Sequence, residues 1–569
     1  NAAVGAFALE ANTAASNAAF GGFAMRANTT GTQNTAVGQN ALNANTTANN
    51  NVAVGYDALL ANTTGASNTC VGSDAGQAIT TTSNNTVVGS QAYIEGAAAE
   101  NTIIGAYCGY NLTTGNWNTA IGYQALYTED TGQQLVAVGR HALYTNDGGT
   151  QNTALGYSAL YANTTGDSNT AAGYFALGGN TTGDNNTAFG RDSLYSNTTG
   201  TNNTAVGHYA LRECTTTSHN TAIGSQALQQ NTGNQNTAVG KLALGINTTG
   251  ANNTAVGDRA LESNTTGTQN TAVGGVSLDS NSTGTSNTAL GYNAMVNSTT
   301  GNRNTAVGTY ALDANTTAHQ NTAIGYQSLS SNTTGQYNTA VGDECLFSQT
   351  TADSNTALGN DAGYSTTTGH SNVLIGYEAM NNATAVNKSV VIGYQAMRVH
   401  TGTGDELNVI IGYQAGVAET TGYGNVFVGG EAGKTVTTGN HNTFVGKSAG
   451  VAATTGSFNI CIGRESSPSS ATASNECTLG DGNVNSLRCN DTSISSLSDE
   501  RDKTEIVDLP IGLDFINSLK PRKFKWATRD GNIKDGKYRA GFIAQELQAL
   551  ESSTSVDYLD LILDSNPAK

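Results

Sequence analysis

The chain has 569 residues, a net charge of −18, 69 Gly, 4 Pro and only 12% charged residues. That is about half the charged fraction of an ordinary globular protein, so solubility is expected to come from Asn, Thr and Ser rather than from ion pairs. So few cations form no stripe that would track phosphates, and no apolar run nears the ~18 residues needed to cross a bilayer, so nucleic acid and membrane insertion are both argued against.

In chain order the first feature is a repeat. Gly5, Gly21, Gly38, Gly55, Gly72 and Gly89 each close a short apolar run such as "NTAVG", and the series continues through Gly207, Gly308 and Gly446 to Gly463 and Gly480. The spacing is seventeen, with slips to sixteen at Gly5 to Gly21, Gly89 to Gly105 and Gly224 to Gly240 and to nineteen at Gly393 to Gly412. This makes about 29 units, and a template that absorbs insertions without losing phase is built of separable coils.

Within the unit starting at Asn34, a β-favouring piece (Thr35, Ala36, Val37) ends at Gly38, an apolar pair follows (Ala41, Leu42), and an "NANTT" turn returns the chain. The runs are too short for helices. Asn, Thr and Gly supply turn hydrogen bonds and tolerance of positive φ. Two strands and two turns per coil are expected, stacked into an all-β, elongated parallel β-solenoid or β-roll over residues 1–480, a rod on the order of 140 Å long at one strand spacing per coil.

The residue before each Gly is medium or large and apolar (Val37, Ile121, Leu155, Phe189, Ile223), and the one before that is usually Ala (Ala36, Ala120, Ala154). The expectation is that the large residues fill each roll and the Ala face admits another chain, giving a parallel homotrimer. The competing expectation puts Ala inside a thin monomeric solenoid. A strand apolar on both faces has to be covered on both.

The repeat resembles the head repeats of trimeric autotransporter adhesins, left-handed β-rolls with one "VAIG"-like strand per coil; "NVAVG" at 51–55 and "NVIIG" at 408–412 come closest. Similar repeats occur in phage tail fibres. Seven scattered cysteines (Cys70, Cys108, Cys214, Cys345, Cys461, Cys477, Cys489), with no CxxC, predict free buried thiols; no metal and no cofactor is expected. The many "NTT" sequons follow from the recurring turn rather than from glycosylation. An ice-binding solenoid is a minor alternative, because the turn Thr pairs do not alternate along a strand. Tyr after the repeat Gly (Tyr56, Tyr123, Tyr157, Tyr292, Tyr326, Tyr377, Tyr394, Tyr413) offers either a sugar-stacking ladder or coil-to-coil packing.

After Gly480 the period fails. Residues 481–497 make a linker, and at Ser498 the composition turns globular, with Phe515, Phe524, Trp526, Phe542 and mixed charge: 11 Lys and Arg against 13 Asp and Glu, where the residues before it hold 13 against 29. Asp508 is placed to cap a helix through Ile511, Leu513, Ile516 and Leu519 that Pro521 stops; "RKFKWA" alternates like a strand; "AGFIAQELQALE" reads as a strand entering a second helix. A small α+β domain is predicted over 498–569.

"LSDERDK", "LDFINSLKPRKFKW" and "GFIAQEL", in that order, resemble the C-terminal intramolecular chaperone domain of phage tail spikes and fibres. The resemblance implies trimerisation of the fibre and self-cleavage between Leu497 and Ser498, with Ser498 as nucleophile, Lys503 as its base and Asp499 in the same motif. It also implies a virion location, a tail-fibre shaft displaying a surface for a host-cell glycan or protein receptor, and at most a single-turnover autoprotease with no foreign substrate. A bacterial adhesin head on the cell surface is the alternative. The chain starts inside a repeat, without Met, and stops before the family's usual last helix, so it reads as a fragment with an incomplete chaperone; Arg539 stands where many members carry His. Five residues put Ser498 and Lys503 on different faces of a helix or a strand, so such a dyad needs an irregular turn, and its Lys needs burial to act as a base.

Overall fold

The computed structural model describes residues 1–486, 488, 513–525 and 538–553. The chain divides into two compact units, Asn1–Val484 and Asn485–Lys569.

The first unit is a parallel β-solenoid. Its main sheet has 29 strands, each only three residues long, from Ala2–Val4 to Cys477–Leu479. Consecutive coils pair in parallel and in register, as Thr35↔Val52, Ala36↔Ala53 and Val37↔Val54 do. The slips never break that register: Val88 pairs with Ile104 and Ile223 with Val239 across the sixteen-residue coils, and Ile392 with Ile411 across the nineteen-residue one. The extra residues of that long coil instead form Thr403–Asp405, which pairs with Ala385–Asn387 in a separate two-stranded sheet.

Each coil contributes one strand, not the two expected. The second apolar pair lies in a turn where Asn40 and Leu42 take left-handed φ values of 58° and 52°. Ala41 and Leu42 are both fully buried. A strand would send neighbours to opposite faces, whereas alternating backbone handedness turns both inward. Left-handed residues cost roughly 1 kcal/mol or more each. Here the cost is offset by coil-to-coil hydrogen bonding, since Leu42 N–H donates to the Ala58 carbonyl at 3.0 Å. At Gly38 (φ 132°) a Cβ would lie 2.3 Å from the Gly55 carbonyl oxygen, which is why the position before each turn stays glycine.

The face assignment also reverses. Ala36, Ala120 and Ala154 are fully buried, while Val37, Ile121 and Leu155 face outward. The Ala face therefore admits no second chain. Ala of the strand and Leu of the turn together fill the narrow interior, and a larger inward residue on every strand would overfill it.

Between these apolar columns run two ladders of buried Asn. Asn51 N–H donates to Asn34 Oδ1 at 2.9 Å, and Asn51 Nδ2 to the Gly65 carbonyl at 2.8 Å. Asn62 Nδ2 donates to Asn45 Oδ1 at 3.0 Å and to the same Gly65 carbonyl at 2.9 Å. These side chains stitch coil to coil in the interior rather than solubilise the surface. The "NTT" asparagines Asn45, Asn62 and Asn163 are fully buried, so their amides are closed to a glycan. In the short coil after Gly89, Tyr93 supplies the missing polar group: its hydroxyl donates to the Ala98 carbonyl at 2.8 Å and accepts from Asn101 Nδ2 at 3.0 Å.

Of the described cysteines, Cys70, Cys108, Cys214, Cys345 and Cys461 are free and buried, and Cys477 is free but exposed. Burial pushes the Cys70, Cys108 and Cys345 thiols up to about 12, which makes them unreactive.

Candidate functional site

In the second unit, helix α1 (Leu513–Ser518) is followed by an antiparallel pair, Arg522–Lys525 with Tyr538–Gly541, and then helix α2 (Ala544–Ser552). Pro521 has no N–H to continue α1, and "RKFK" takes up the strand after it. Gly541 lets Phe524 lie close, since a Cβ there would sit 3.3 Å from the ring. The ammonium groups of Lys523 and Lys525 lie 4.4 and 4.6 Å from the Tyr538 ring centre, a pair of cation–π contacts.

The strand pair is tied to α2 by one bidentate ion pair: Arg522 Nε to Glu546 Oε2 at 2.9 Å and Arg522 Nη2 to Glu546 Oε1 at 2.5 Å. The Arg522 hydrogen bonds hold the Glu546 carboxyl below its usual range. Beside this pair a cleft of about 410 Å³ opens between the end of α1 and α2, lined by Leu519, Phe542, Ile543, Leu547 and Leu550. Leu513 and Ile516 of α1 are 73% and 58% exposed. An apolar cleft beside exposed aliphatics is a surface for protein contact rather than for a polar small molecule.

The predicted strand and both helices are present, with α1 beginning at Leu513. Leu497, Ser498, Asp499 and Lys503 lie outside the described residues, as do Asp508, Ile511 and Trp526. The Arg522–Glu546 clamp was not read from the sequence, although both partners sit inside quoted blocks. A basic residue after the helix-stopping Pro and the Glu of "AQEL" are 24 residues apart, too far for any local pattern to join them.

On the solenoid the tyrosines after the repeat Gly stack from coil to coil in part: Tyr377, Tyr394 and Tyr413 at 5.2 and 5.4 Å, and Tyr157 on Tyr174 at 5.2 Å. A second ladder, Tyr110, Tyr127, Tyr144 and Tyr161, is spaced 5.1–5.3 Å with nearly parallel rings in its later steps. Ring faces spent on each other are closed to sugars along the ladder and leave mainly edges and hydroxyls outward.

Among the departures from the Asn pattern is one buried cluster of ionisable side chains. In the nineteen-residue coil His400 takes the place of a ladder Asn, with Glu406 Oε2 3.8 Å from its Nε2; Glu419 fills the same place one coil on. Both His400 nitrogens lack a hydrogen-bond partner among the described residues. Burial pushes the Glu419 carboxyl well above the usual range; the Asn425 amide, donating at 2.6 Å, works against that rise, and nearby Glu406 adds to it. Among the described residues no group of three His, Cys, Asp or Glu is arranged to hold a metal, and no helix is long and apolar enough to cross a membrane.

Residues 498–554 match the family model described as chaperone of endosialidase. The match starts at the residue where the composition changes, so the chain is a long β-solenoid carrying a C-terminal chaperone-of-endosialidase domain. This architecture fits a tail fibre with a C-terminal chaperone. Searches of curated proteins and of solved structures find no match to the chain.

Proposed function

We propose that the chain is the shaft of a phage tail fibre, located on the virion, assembled as a parallel homotrimer by its C-terminal domain and serving to hold a host-binding surface at a distance. The observation that carries this reading is the chaperone-of-endosialidase match directly behind a 29-stranded solenoid. The chaperone would bring chains together so that the coils fold in phase, since each coil alone buries too little to offset its own chain entropy. The receptor, a cell-surface glycan or protein, would meet outward side chains, the Tyr edges among them.

The same reading gives the domain one intramolecular reaction. Lys503 takes the proton of Ser498, whose oxygen attacks the Leu497 carbonyl; the Leu497–Ser498 amide bond breaks as the ester forms, and Lys503 passes the proton to the freed Ser498 amine. Water then hydrolyses the ester to the Leu497 carboxylate and the Ser498 hydroxyl, releasing the chaperone. Asp499 belongs to the motif and would orient the turn. Assembly would be the trigger, because an interface desolvates Lys503 enough to leave it neutral.

Mass spectrometry of the complete chain beside Ser498→Ala and Lys503→Ala tests this. Wild type is expected to be cut before Ser498 and both variants to stay whole. An assembled wild type that remains intact would leave the domain a chaperone only, and a sedimenting monomer would remove the fibre reading itself.

A further inference from the structure

The outward column of the shaft demands a cover. In all 29 strands the residue before the repeat Gly is Val, Ile, Leu, Phe or Ala, and in none is it buried within the chain. Exposure within this column reaches 41% at Leu155, 46% at Leu290 and 48% at Leu358. Strand propensity does not account for it. The first residue of each strand points to the same face and is most often Thr (Thr35, Thr119, Thr204, Thr305), so a polar β-former is accepted two residues away. One position past the Gly the chain places Arg140, Arg191, Lys241, Asp258, Asp343 and Lys447. Charge and polarity are admitted on both sides of the column and never within it.

We infer that this column is the surface along which copies of the chain pack side by side, parallel and in register. The inference rests on the fibre reading above and adds which face makes the contact. Three observations select a second copy as the occupant. A partner that covers the column has to present apolar groups at one strand spacing over its full length, and another copy of the same repeat does so coil for coil. The column is at least partly uncovered in all 29 coils, and a stripe of that length supplies the extended contact that a stable interface, roughly 800 Å² per partner, requires. Finally, the coil-length slips are absorbed elsewhere: Val88 still meets Ile104, Ile223 meets Val239 and Ile392 meets Ile411, so the column runs unbroken. The varied sizes, with Ala172 next to Phe189, do not suit a uniform flat surface such as ice but are matched when identical layers meet.

The test is oxidative cross-linking of the full chain carrying Val239→Cys, in a background with Cys477→Ser and Cys489→Ser, beside the exposed turn variant Thr249→Cys. Val239→Cys is expected to link to itself between chains at least tenfold more than Thr249→Cys, with the 239–239 peptide identified by mass spectrometry. Val307→Cys is a second column position should Val239→Cys assemble poorly, and the same 307–307 link is expected. An assembled protein that links through Thr249→Cys and through neither column position overturns the face while leaving the fibre reading standing. A chain that sediments as a monomer overturns both.

Discussion

Two coils of the shaft fill the same cross-section by opposite means. Around Gly207 the strand sends in Ala205 and the turn sends in Leu211; around Gly429 the strand sends in Phe427 and the turn has Gly433. The exchange is steric: a Cβ on Gly433 would lie 2.4 Å from Phe427 Cε2, and one on Gly450 lies 2.2 Å from Phe444 Cδ2. Gly109 lies against Ile103 and Gly76 against Cys70 in the same way. In four of the six coils whose turn residue shrinks to Gly, the ladder Asn also gives way to an apolar residue, Ile79, Leu112, Val436 or Ala453, whereas Thr366 and Glu419 stand there after Gly363 and Gly416. In the Phe/Gly coils the interior therefore specifies a summed volume rather than particular residues.

The largest effects should come from breaking that exchange. Phe427→Ala leaves a void beside Gly433 and is expected to cost about 3 kcal/mol or more. Gly433→Leu alone overfills the coil and is expected to cost 1–3 kcal/mol, roughly. The turn conformation itself accepts Leu, since Gly433 has φ 59° and Leu211 φ 49°. Phe427→Ala with Gly433→Leu rebuilds the Ala205 and Leu211 arrangement, so the double variant should lose less than either single. Because a solenoid opens coil by coil, hydrogen exchange of peptides across 424–438 is the readout. Additive losses would show that the two positions do not share one space.

The ladders offer the next test. Asn51→Ala removes an acceptor for the Asn68 N–H (2.8 Å) and a donor to the Gly65 carbonyl (2.8 Å), both in the interior. A loss of about 1–3 kcal/mol is expected at that coil and its neighbours. Val436→Asn, placed in a Phe/Gly coil beside Phe427 and Phe444, which stack at 5.0 Å, should destabilise as well although it restores the commoner residue. If Val436→Asn instead protected its coil, polarity would not be matched to volume.

The period, the strand position and the corner glycines were legible because each repeats 29 times and leaves few alternatives. The inside and outside of the strand were not. Alternation along Thr35, Ala36 and Val37 separates two faces but does not say which one the coil closes over; the answer lay in Ala41 and Leu42, adjacent and both buried, which use up the interior volume. The buried role of Asn was also hidden, because a turn Asn bonded locally and one bonded to the next coil look alike in sequence. For the second unit, helix and strand were readable from Pro521 and the alternation around Phe524, whereas Ser498 and Lys503 carry meaning only through the order of three motif blocks.

The smallest effect expected is a pH dependence confined to the irregular coil. Glu419 stands where regular coils hold Asn, faces Asn425 and Glu406, lies one coil from His400, and its carboxyl is held well above 4.5 by burial. The unfolded chain gives up this proton near 4.5, while the folded coil retains it to higher pH. Between those two values the unfolded state binds fewer protons, so stability falls as pH rises within the window and levels off above the folded value. Glu419→Gln removes the titration and fits the site: Gln349, in the same column, donates through Nε2 to the Ala352 carbonyl at 2.9 Å. Hydrogen exchange of peptides spanning 409–425, corrected for the intrinsic pH dependence of exchange, should therefore lose its slope in Glu419→Gln and show greater protection at neutral pH than wild type. A variant with an unchanged slope would show that Glu419 is not the titrating group.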